Sequence, residues 1–317
     1  MTTTTTNRAS VDDGSSRPAV GRRPRRLIRS PKHSLQTLAF FAPGVILFGY
    51  FAWWPMISSV ILSMQETNLV ADPSWVGLEN YAFIFTDPLL WTAVQNTLLF
   101  AVISIVLGFP LPLFLATVMS EFRRLGGLFR VLVYLPAAVP PVVAVLLWKW
   151  FYEPTPDGVF NTILGAVGLG PFPWLESTSW AIPSLVLAAT WSAAGNTVLI
   201  YLAALTSIPT ELYDAAEVDG AGIWRRVWHI TLPQMRGVML ILLLVQIIAT
   251  MQTFIEPFVM TDGGPQNSTV TVLLLIYRYA FNYGDYGGAA ALSVLLAIVL
   301  GVISAIYLRV TRSWSTT

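Results

Sequence analysis

The residues from Thr92 to Met119 read TAVQNTLLFAVISIVLGFPLPLFLATVM. The stretch contains no Asp, Glu, Lys, Arg or His, and most of its side chains are apolar. A helix rises 1.5 Å per residue, so about 20 apolar residues cross the hydrocarbon core of a bilayer, which is about 30 Å thick. We therefore interpret this stretch as a transmembrane helix.

The composition of the whole chain extends this interpretation to several membrane spans. The chain is 55% hydrophobic and only 11% charged, whereas about 25% of the residues in an ordinary soluble domain are charged. Its 12 Trp and 11 Tyr residues suit a protein that is anchored at two membrane–water interfaces. This composition excludes an ordinary soluble protein.

Several kinds of chemistry are excluded by residue types that are absent or isolated. The chain has no Cys, so it forms no disulfide, thiolate nucleophile or Cys-ligated metal site. His33 and His229 are its only histidines and are far apart in sequence, so we expect no metal site. Lys32 and Lys149 are the only lysines, and neither stands in a G-x-x-x-x-G-K-[ST] loop. We therefore expect neither ATP hydrolysis through such a loop nor any other enzyme activity.

The distribution of basic residues predicts the number and direction of the spans. The apolar run 270–281 contains Arg278 and is short for a span, so we interpret it as an interfacial or partly buried helix. With six spans, every Lys and Arg except Lys149 and Arg278 lies on one side, and the positive-inside rule places that side and both termini in the cytoplasm. The sequence thus predicts an all-α polytopic membrane protein whose six transmembrane helices are 37–63, 92–119, 131–152, 181–205, 237–260 and 286–309.

Residues 1–34 differ from the rest and are predicted to be a disordered basic cytoplasmic tail. They are rich in Thr, Ser, Pro and Arg and poor in large apolar side chains, so they cannot bury enough surface to offset the entropy of ordering. They also lack the apolar core and cleavage site of a signal peptide. We expect this tail to contact anionic membrane lipid and expect no nucleic-acid partner. A short C-terminal tail, 313–317, follows the last span.

The segment between the fourth and fifth predicted spans, Ser207 to Met235, reads SIPTELYDAAEVDGAGIWRRVWHITLPQM. Pro209 and Thr210 can begin a short helix, and two glycines after it allow a tight reversal. An amphipathic helix follows, which we expect to stop at Pro233. Periodicity alone equally allows an ordinary solvated loop that carries an interfacial helix.

The spacing D-A-A-x-x-x-G-x9-I-x-L-P in this segment resembles the signature loop (EAA motif) of permease subunits of binding-protein-dependent ABC importers. The surrounding residues are similar to the maltose-type sugar permease family, which consists of inner-membrane components of such transport systems. The positions that carry the signature are Asp214, Ala215, Ala216, Gly220, Ile230, Leu232 and Pro233.

Three further stretches match the family in its own order, namely Val76–Phe100, Val133–Tyr152 and Met260–Thr269. The resemblance covers about residues 37–312. It implies a six-span ABC permease domain at 35–312, with a cytoplasmic coupling helix in the loop 206–236 between spans four and five.

The resemblance also implies partners and a cellular location. In the family, the coupling helix docks into a cleft on a separate ATPase subunit, and ATP and Mg are bound there, so we expect no cofactor in this chain. Asp214 stands where the family usually carries Glu and would pair with a basic group of the ATPase. The expected partners are two copies of this ATP-binding subunit, a second homologous permease subunit and an extracellular or periplasmic solute-binding protein. The expected location is the bacterial or archaeal cell (inner) membrane.

Polar side chains inside two predicted spans are candidates for a substrate cavity. Gln246, Thr250 and Thr253 recur at helical spacing in span five, and Ser192 and Asn196 do so in span four. Neutral amides and hydroxyls suit a sugar, and these stripes match family positions that line the translocation cavity. Hydrogen bonding between helices is the alternative reading of the same stripes.

Two features near the external end of span five are candidates for a gate or for docking of the binding protein. Glu256 is an acid that we place well inside the predicted span, where it would face a water-filled vestibule, act as a gate or take up a proton as in a proton-coupled carrier. The sequence after it, Asp262, Gly263, Gly264 and Pro265, predicts an external turn. In the family, this region lies near the docking site of the solute-binding protein.

These observations favour a permease subunit that imports a sugar, either a disaccharide or an oligosaccharide, or a related polyol by alternating access. The spans show no Arg or Lys apart from the peripheral Lys149, which favours an uncharged substrate. A self-sufficient secondary carrier or channel is the alternative, and it would predict buried ionisable pairs and internal repeats. An integral membrane enzyme would need a convergent set of His, Cys or paired acids.

Overall fold

The computed structural model describes residues 31–70, 72–121 and 126–312. Most of the predicted N-terminal tail, the predicted C-terminal tail and part of the loop 120–130 lie outside these described residues. The described part is mostly helical, which agrees with the predicted all-α class. Contacts divide the chain into two units, and the division falls between Trp54 and Pro55.

The first unit contains one long apolar helix. Helix α1, Pro31–Phe48, continues into a π-helical turn, Gly49–Trp53. It begins inside the segment 1–34 that the sequence predicts to be a disordered tail. The side chains of Phe40 and Phe51 are 83% and 71% exposed, as expected of a helix that faces lipid.

The second unit contains the remaining helices and a short strand pair. Its first half consists of α2 (Trp54–Leu62, starting at the division), β1 (Gln65–Glu66), β2 (Ser74–Trp75), α3 (Glu79–Thr86), α4 (Pro88–Ile103), a π-helical turn (Ser104–Gly108), α5 (Pro110–Glu121), α6 (Gly126–Ala138), α7 (Pro141–Phe151) and α8 (Val159–Gly165). Its second half consists of a 3-10 turn (Trp174–Glu176), α9 (Ala181–Thr206), α10 (Thr210–Val218), α11 (Ile223–Arg226), a π-helical turn (Val227–Thr231), α12 (Leu232–Met251), a π-helical turn (Pro257–Thr261), α13 (Val272–Tyr277), a π-helical turn (Arg278–Asn282) and α14 (Tyr286–Thr311).

Five helices in the described residues are long and apolar enough to cross a membrane, and a sixth span results if one bent helix pair counts as one. The apolar helix Val272–Asn282 is shorter than a span, in agreement with the interpretation of 270–281. The five helices are Ala39–Leu62, Pro88–Ser120, Ala181–Thr206, Ile223–Met251 and Tyr286–Thr311.

The third predicted span, 131–152, is not one straight helix. It consists of α6 and α7, whose axes are bent by 96° relative to one another. Pro140 precedes Pro141 at the bend and has ψ 133°, because a residue before proline is driven out of the helical region. The consecutive prolines Pro140 and Pro141 are the sequence signal of this break.

The fifth predicted span, 237–260, is displaced toward its N-terminal side. The helix runs from Ile223 to Met251, so the prediction that a short helix stops at Pro233 is wrong. Just before Pro233, the N–H of Leu232 donates to the carbonyl of Val227 in a π-helical turn. This wider turn changes the hydrogen-bond pattern where proline lacks a donor, and the helix continues past it.

Helix α9 is the most buried long helix of the second unit and packs against α4, α5, α6, α7 and α12. Its closest approach to α6 occurs at Gly195. A Cβ at this position would lie 2.6 Å from the carbonyl oxygen of Val133 and 3.1 Å from Cα of Tyr134. Glycine therefore sets the distance between α6 and α9.

The strand pair β1–β2 is attached to the start of α14. The strands are antiparallel, with Gln65 opposite Trp75. The Asn80 amide donates to the carbonyls of Ser63 and Gln65 at 2.9 and 3.0 Å, and the Tyr286 N–H donates to the carbonyl of Thr67. These bonds satisfy backbone acceptors that a two-residue strand pair leaves open.

Candidate functional site

A cavity of about 590 Å³ opens between α4, α9, α12 and the residues that follow α12. Its size lies within the range of about 300–1,000 Å³ that is typical of small-molecule sites. The lining is mainly apolar, with amide and hydroxyl groups distributed through it. These polar groups belong to Ser104, Thr190, Asn196, Thr197, Gln246, Thr250, Gln252 and Thr253.

The predicted stripe Gln246, Thr250 and Thr253 lines this cavity in full. The Gln246 side chain donates to the carbonyl of Ser104 at 2.6 Å, so it also makes the contact between helices that was the alternative reading. The Thr250 hydroxyl donates to the Gln246 carbonyl of its own helix at 2.9 Å. Thr253 lies beyond the end of α12, and its carbonyl accepts a hydrogen bond from the Thr271 hydroxyl at 2.9 Å.

The two candidates on α9 have different environments. Asn196 is exposed and lines the cavity. Ser192 is not among the lining residues, and its hydroxyl donates to the Ala188 carbonyl one turn earlier, at 3.1 Å. The neighbouring Trp191 packs on Trp148, with ring centroids 5.7 Å apart. Whether any of these side chains binds substrate stays a prediction.

The cavity candidates predicted from the sequence omit four neutral polar residues of the lining, namely Ser104, Thr190, Thr197 and Gln252. Thr190 and Thr197 are seven residues apart on α9, a helical spacing that could have indicated them, whereas Ser104 lies in an apolar run and Gln252 follows the last residue of α12. Gly108 could have been a signal for this region. A Cβ there would lie 3.0 Å from both the Gln246 amide nitrogen and the Thr190 hydroxyl, so glycine leaves room for the polar side chains.

Glu256 lines the cavity and lies outside any span-length helix of the described residues. The prediction that it lies well inside a span is wrong, because α12 ends at Met251 and a separate π-helical turn begins at Pro257. Its carboxylate accepts a hydrogen bond from the Thr253 hydroxyl at 3.2 Å. It is the charged residue among the cavity-lining residues that the structure describes.

The sequence Asp262 to Pro265 forms a turn, as predicted, and the turn is firmly held. Asp262 has φ 49° and Gly263 has φ 85°. The Arg278 guanidinium donates to the carbonyl of Asp262 at 2.6 Å and to the side chain of Asn267 at 3.3 Å. A Cβ at Gly263 would lie 2.5 Å from the Arg278 guanidinium and 2.7 Å from a methyl group of Val270, so a larger residue would have to displace these side chains.

The chain beyond this turn is attached to α4. The Asn96 amide donates to the carbonyls of Asn267 and Val270 at 2.8 and 3.0 Å. Nearby, the phenol of Tyr279 donates to the Asp87 carboxylate at 2.7 Å. Burial, together with this hydrogen bond, raises the pKa of Tyr279, so the phenol keeps its proton.

The loop 206–236 presents an exposed helix whose ends are fixed. Asp214 and Ala215 of α10 are exposed, as is Gly220 in the turn after it. Gly220 has φ 71°, and the Ala221 N–H donates to the Ala216 carbonyl at 2.9 Å, which caps α10. The Tyr213 hydroxyl lies 3.0 Å from that of Thr231.

The remaining signature positions lie at the base of α12 rather than on α10. Ile230 and Leu232 are half-buried, and Ile230 packs against the core formed by α5, α9 and α12. Pro233 is exposed. The aromatic side chains of Trp224 and Trp228 are 71% and 65% exposed, so the loop also has an apolar surface that the described residues of this chain leave uncovered.

Comparison with protein families finds one that covers most of the chain. The family model described as "binding-protein-dependent transport system inner membrane component" matches residues 108–314. This match confirms the family resemblance that the motifs predict.

Curated proteins and solved structures agree with this match. The chain is 32% identical to the sulfoquinovosyl glycerol transport system permease protein of Agrobacterium fabrum, over 88% of this chain and 91% of that protein. It is 33% identical to the lactose transport system permease protein of Rhizobium radiobacter, over 84% and 90%. A chain in the crystal structure of a bacterial alginate ABC transporter, in complex with an alginate pentasaccharide-bound periplasmic protein, superposes with a TM-score of 0.80 at 26% identity, covering 92% of this chain and 99% of that one.

Proposed function

Because the chain belongs to the family of binding-protein-dependent transport system inner membrane components, we propose that it is the permease subunit through which a sugar crosses the membrane. The observation that carries this proposal is the cavity of about 590 Å³ with its neutral amides and hydroxyls on α9 and α12. Such groups hydrogen-bond to hydroxyls, and the apolar surface between them suits the C–H faces of a sugar ring.

The proposed substrate is a disaccharide, an oligosaccharide or a related polyol. Relatives support this class by their names, which refer to lactose, arabinooligosaccharides and trehalose/maltose. This cavity would enclose part of a substrate that has two or more sugar rings. A second, homologous permease subunit would complete the remaining wall. Alternating access would then expose the cavity to each side in turn.

The proposed topology has six spans with both termini in the cytoplasm. It counts the bent pair α6–α7 as the third span, because together these helices have the length and apolarity of one. The positive-inside rule supports the direction, since Arg225, Arg226 and Arg309 would share one side. The loop 206–236 is then cytoplasmic, and the turn at Asp262 is external.

The loop 206–236 is the proposed coupling element. The exposed surface of α10, with Asp214 and Ala215, is available to a separate ATPase subunit. The hydroxyl contact between Tyr213 and Thr231 joins this helix to the segment that leads into α12. A displacement of α10 by the ATPase would therefore reach α12 and the cavity that it lines. Two ATPase copies would bind ATP and Mg, and this chain would hydrolyse none.

The proposed external partner is a solute-binding protein. The turn at Asp262–Pro265 is held by Arg278. It begins shortly after Glu256, which lines the cavity. A rigid turn beside the cavity is suited to receive a protein that delivers substrate. The structural relative described above was crystallised with its periplasmic protein, which supports this assignment.

Isolation of the assembly tests the proposal. The tagged chain is purified from its native membrane in mild detergent, and the proteins recovered with it are identified by mass spectrometry. We expect a P-loop ATPase and a second six-span protein. A folded chain that is recovered alone and transports a solute in liposomes without ATP would overturn the proposal in favour of a secondary carrier.

A further inference from the structure

The cavity has one charged side chain among its described lining residues, and this is Glu256. The residue lies where the chain leaves α12 and before the turn Pro257–Thr261. Phe254 and Ile255, which precede it, also line the cavity. The carboxylate is therefore part of the wall that a solute contacts.

Glu256 has no cation beside it among the described lining residues, none of which is Lys, Arg or His. Two basic residues of neighbouring elements, Lys149 and Arg278, donate hydrogen bonds to other groups in the segment that follows Glu256. The Lys149 ammonium donates to the carbonyl of Val259 at 3.2 Å, and the Arg278 guanidinium donates to Asp262 and Asn267. The Thr253 hydroxyl instead supplies a neutral donor to the carboxylate.

We propose that the carboxylate of Glu256 selects the charge of the solute, admitting neutral hydroxyl-rich sugars and excluding acidic ones. A carboxylate accepts hydrogen bonds from sugar hydroxyls and offers none to an anion. Burial raises the pKa of Glu256. In its ionised form the carboxylate presents a like charge to a uronate or sulfonate in the same partly apolar cavity, where water screens this charge less than in bulk. The consequence for transport rests on the proposed importer function, whereas the charge of the cavity does not.

A charge measurement inside the cavity tests this proposal without knowledge of the substrate. The chain has no Cys, so Ala249→Cys places a single thiol of this chain on the lining, at an exposed alanine. The complete complex is treated with sulfonatoethyl or trimethylammonioethyl methanethiosulfonate, which are similar in size and opposite in charge. Each forms a mixed disulfide with the thiol and releases methanesulfinate, and intact-mass spectrometry of this chain gives the two rates.

The expected result is a change in the ratio of cation rate to anion rate when Glu256 is neutralised. In the Ala249→Cys background, Glu256→Gln should lower that ratio by about fivefold or more, because one charge on the lining of the same cavity acts oppositely on the two reagents. Glu256→Asp, which keeps the charge, should retain most of the ratio. Thr178→Cys, at an exposed residue outside the lining, should show no response to Glu256→Gln.

A ratio at Ala249→Cys that Glu256→Gln leaves unchanged would overturn the proposal. A second measurement needs no substitution at Glu256. Raising the salt from about 0.01 M to about 1 M shortens the Debye length from about 30 Å to about 3 Å, so the ratio in the chain with Glu256 should approach that of the Thr178→Cys control. A ratio of cation rate to anion rate that rises with salt would also contradict the proposal. If the thiol rates respond to Glu256→Gln as expected but no ATPase co-purifies with the chain, the importer function is contradicted and the charge selection by Glu256 stands.

Discussion

Replacement of Gly195 by alanine should separate α6 from α9. The added Cβ would lie 2.6 Å from the Val133 carbonyl oxygen and 3.3 Å from Cβ of Ala137, whereas non-bonded carbon atoms at optimal separation are about 3.5–4.0 Å apart. Two helix backbones must therefore move, since no flexible side chain can yield. Overpacking of this kind costs about 1–3 kcal/mol.

The matched control is Gly237→Ala, in α12. A Cβ at Gly237 would meet nothing within 4 Å, and alanine in a helix interior is more favourable than glycine by about 0.5–1 kcal/mol. Thermal unfolding of the purified complex, followed by tryptophan fluorescence, should show a Tm about 2–10 °C lower for Gly195→Ala. The Gly237→Ala variant should match or exceed the parent. Equal midpoints for the two variants would refute the close approach of α6 and α9.

Three further predictions concern the loops. Asp214→Lys should leave ATP hydrolysis by the complex intact and abolish most uptake. The control Asp157→Lys, at an exposed acid outside the coupling loop, should leave uptake near normal when the two variants are present at equal levels in the membrane. Tyr213→Phe removes the hydroxyl contact with Thr231, worth about 0.5–1.5 kcal/mol, and should lower uptake per ATP hydrolysed; an unchanged ratio would contradict the coupling path. Gly263→Ala should weaken association with the solute-binding protein more than Gly284→Ala does, because both glycines have positive φ but only Gly263 lies against Arg278.

The long helices were the features that sequence could predict most closely. The predicted spans 181–205 and 286–309 correspond to helices Ala181–Thr206 and Tyr286–Thr311, because apolar length and flanking polar residues define such helices directly. The start of α12 could not be predicted in this way. Pro233 normally ends a helix, and the π-helical turn that carries the chain past it has no recognised sequence pattern.

The cavity was predictable only where polar residues repeat. Gln246 and Thr250 share a face of α12 because they are four residues apart, and both line the cavity. Ser104 lies alone in an apolar run, and it contributes through a π-helical turn and a carbonyl that accepts the Gln246 amide. Such a contribution depends on which helices are neighbours, and composition along one helix does not contain that information.

Separate ATPase subunits are proposed to drive a solute through this chain, and reconstitution measures this coupling most directly. Proteoliposomes would contain the complex isolated with this chain, the solute-binding protein outside and ATP inside. We predict uptake of a neutral oligosaccharide only when ATP and the binding protein are both present, and its loss in Asp214→Lys while hydrolysis continues. Uptake at the same rate without ATP, by the chain alone, would contradict the account.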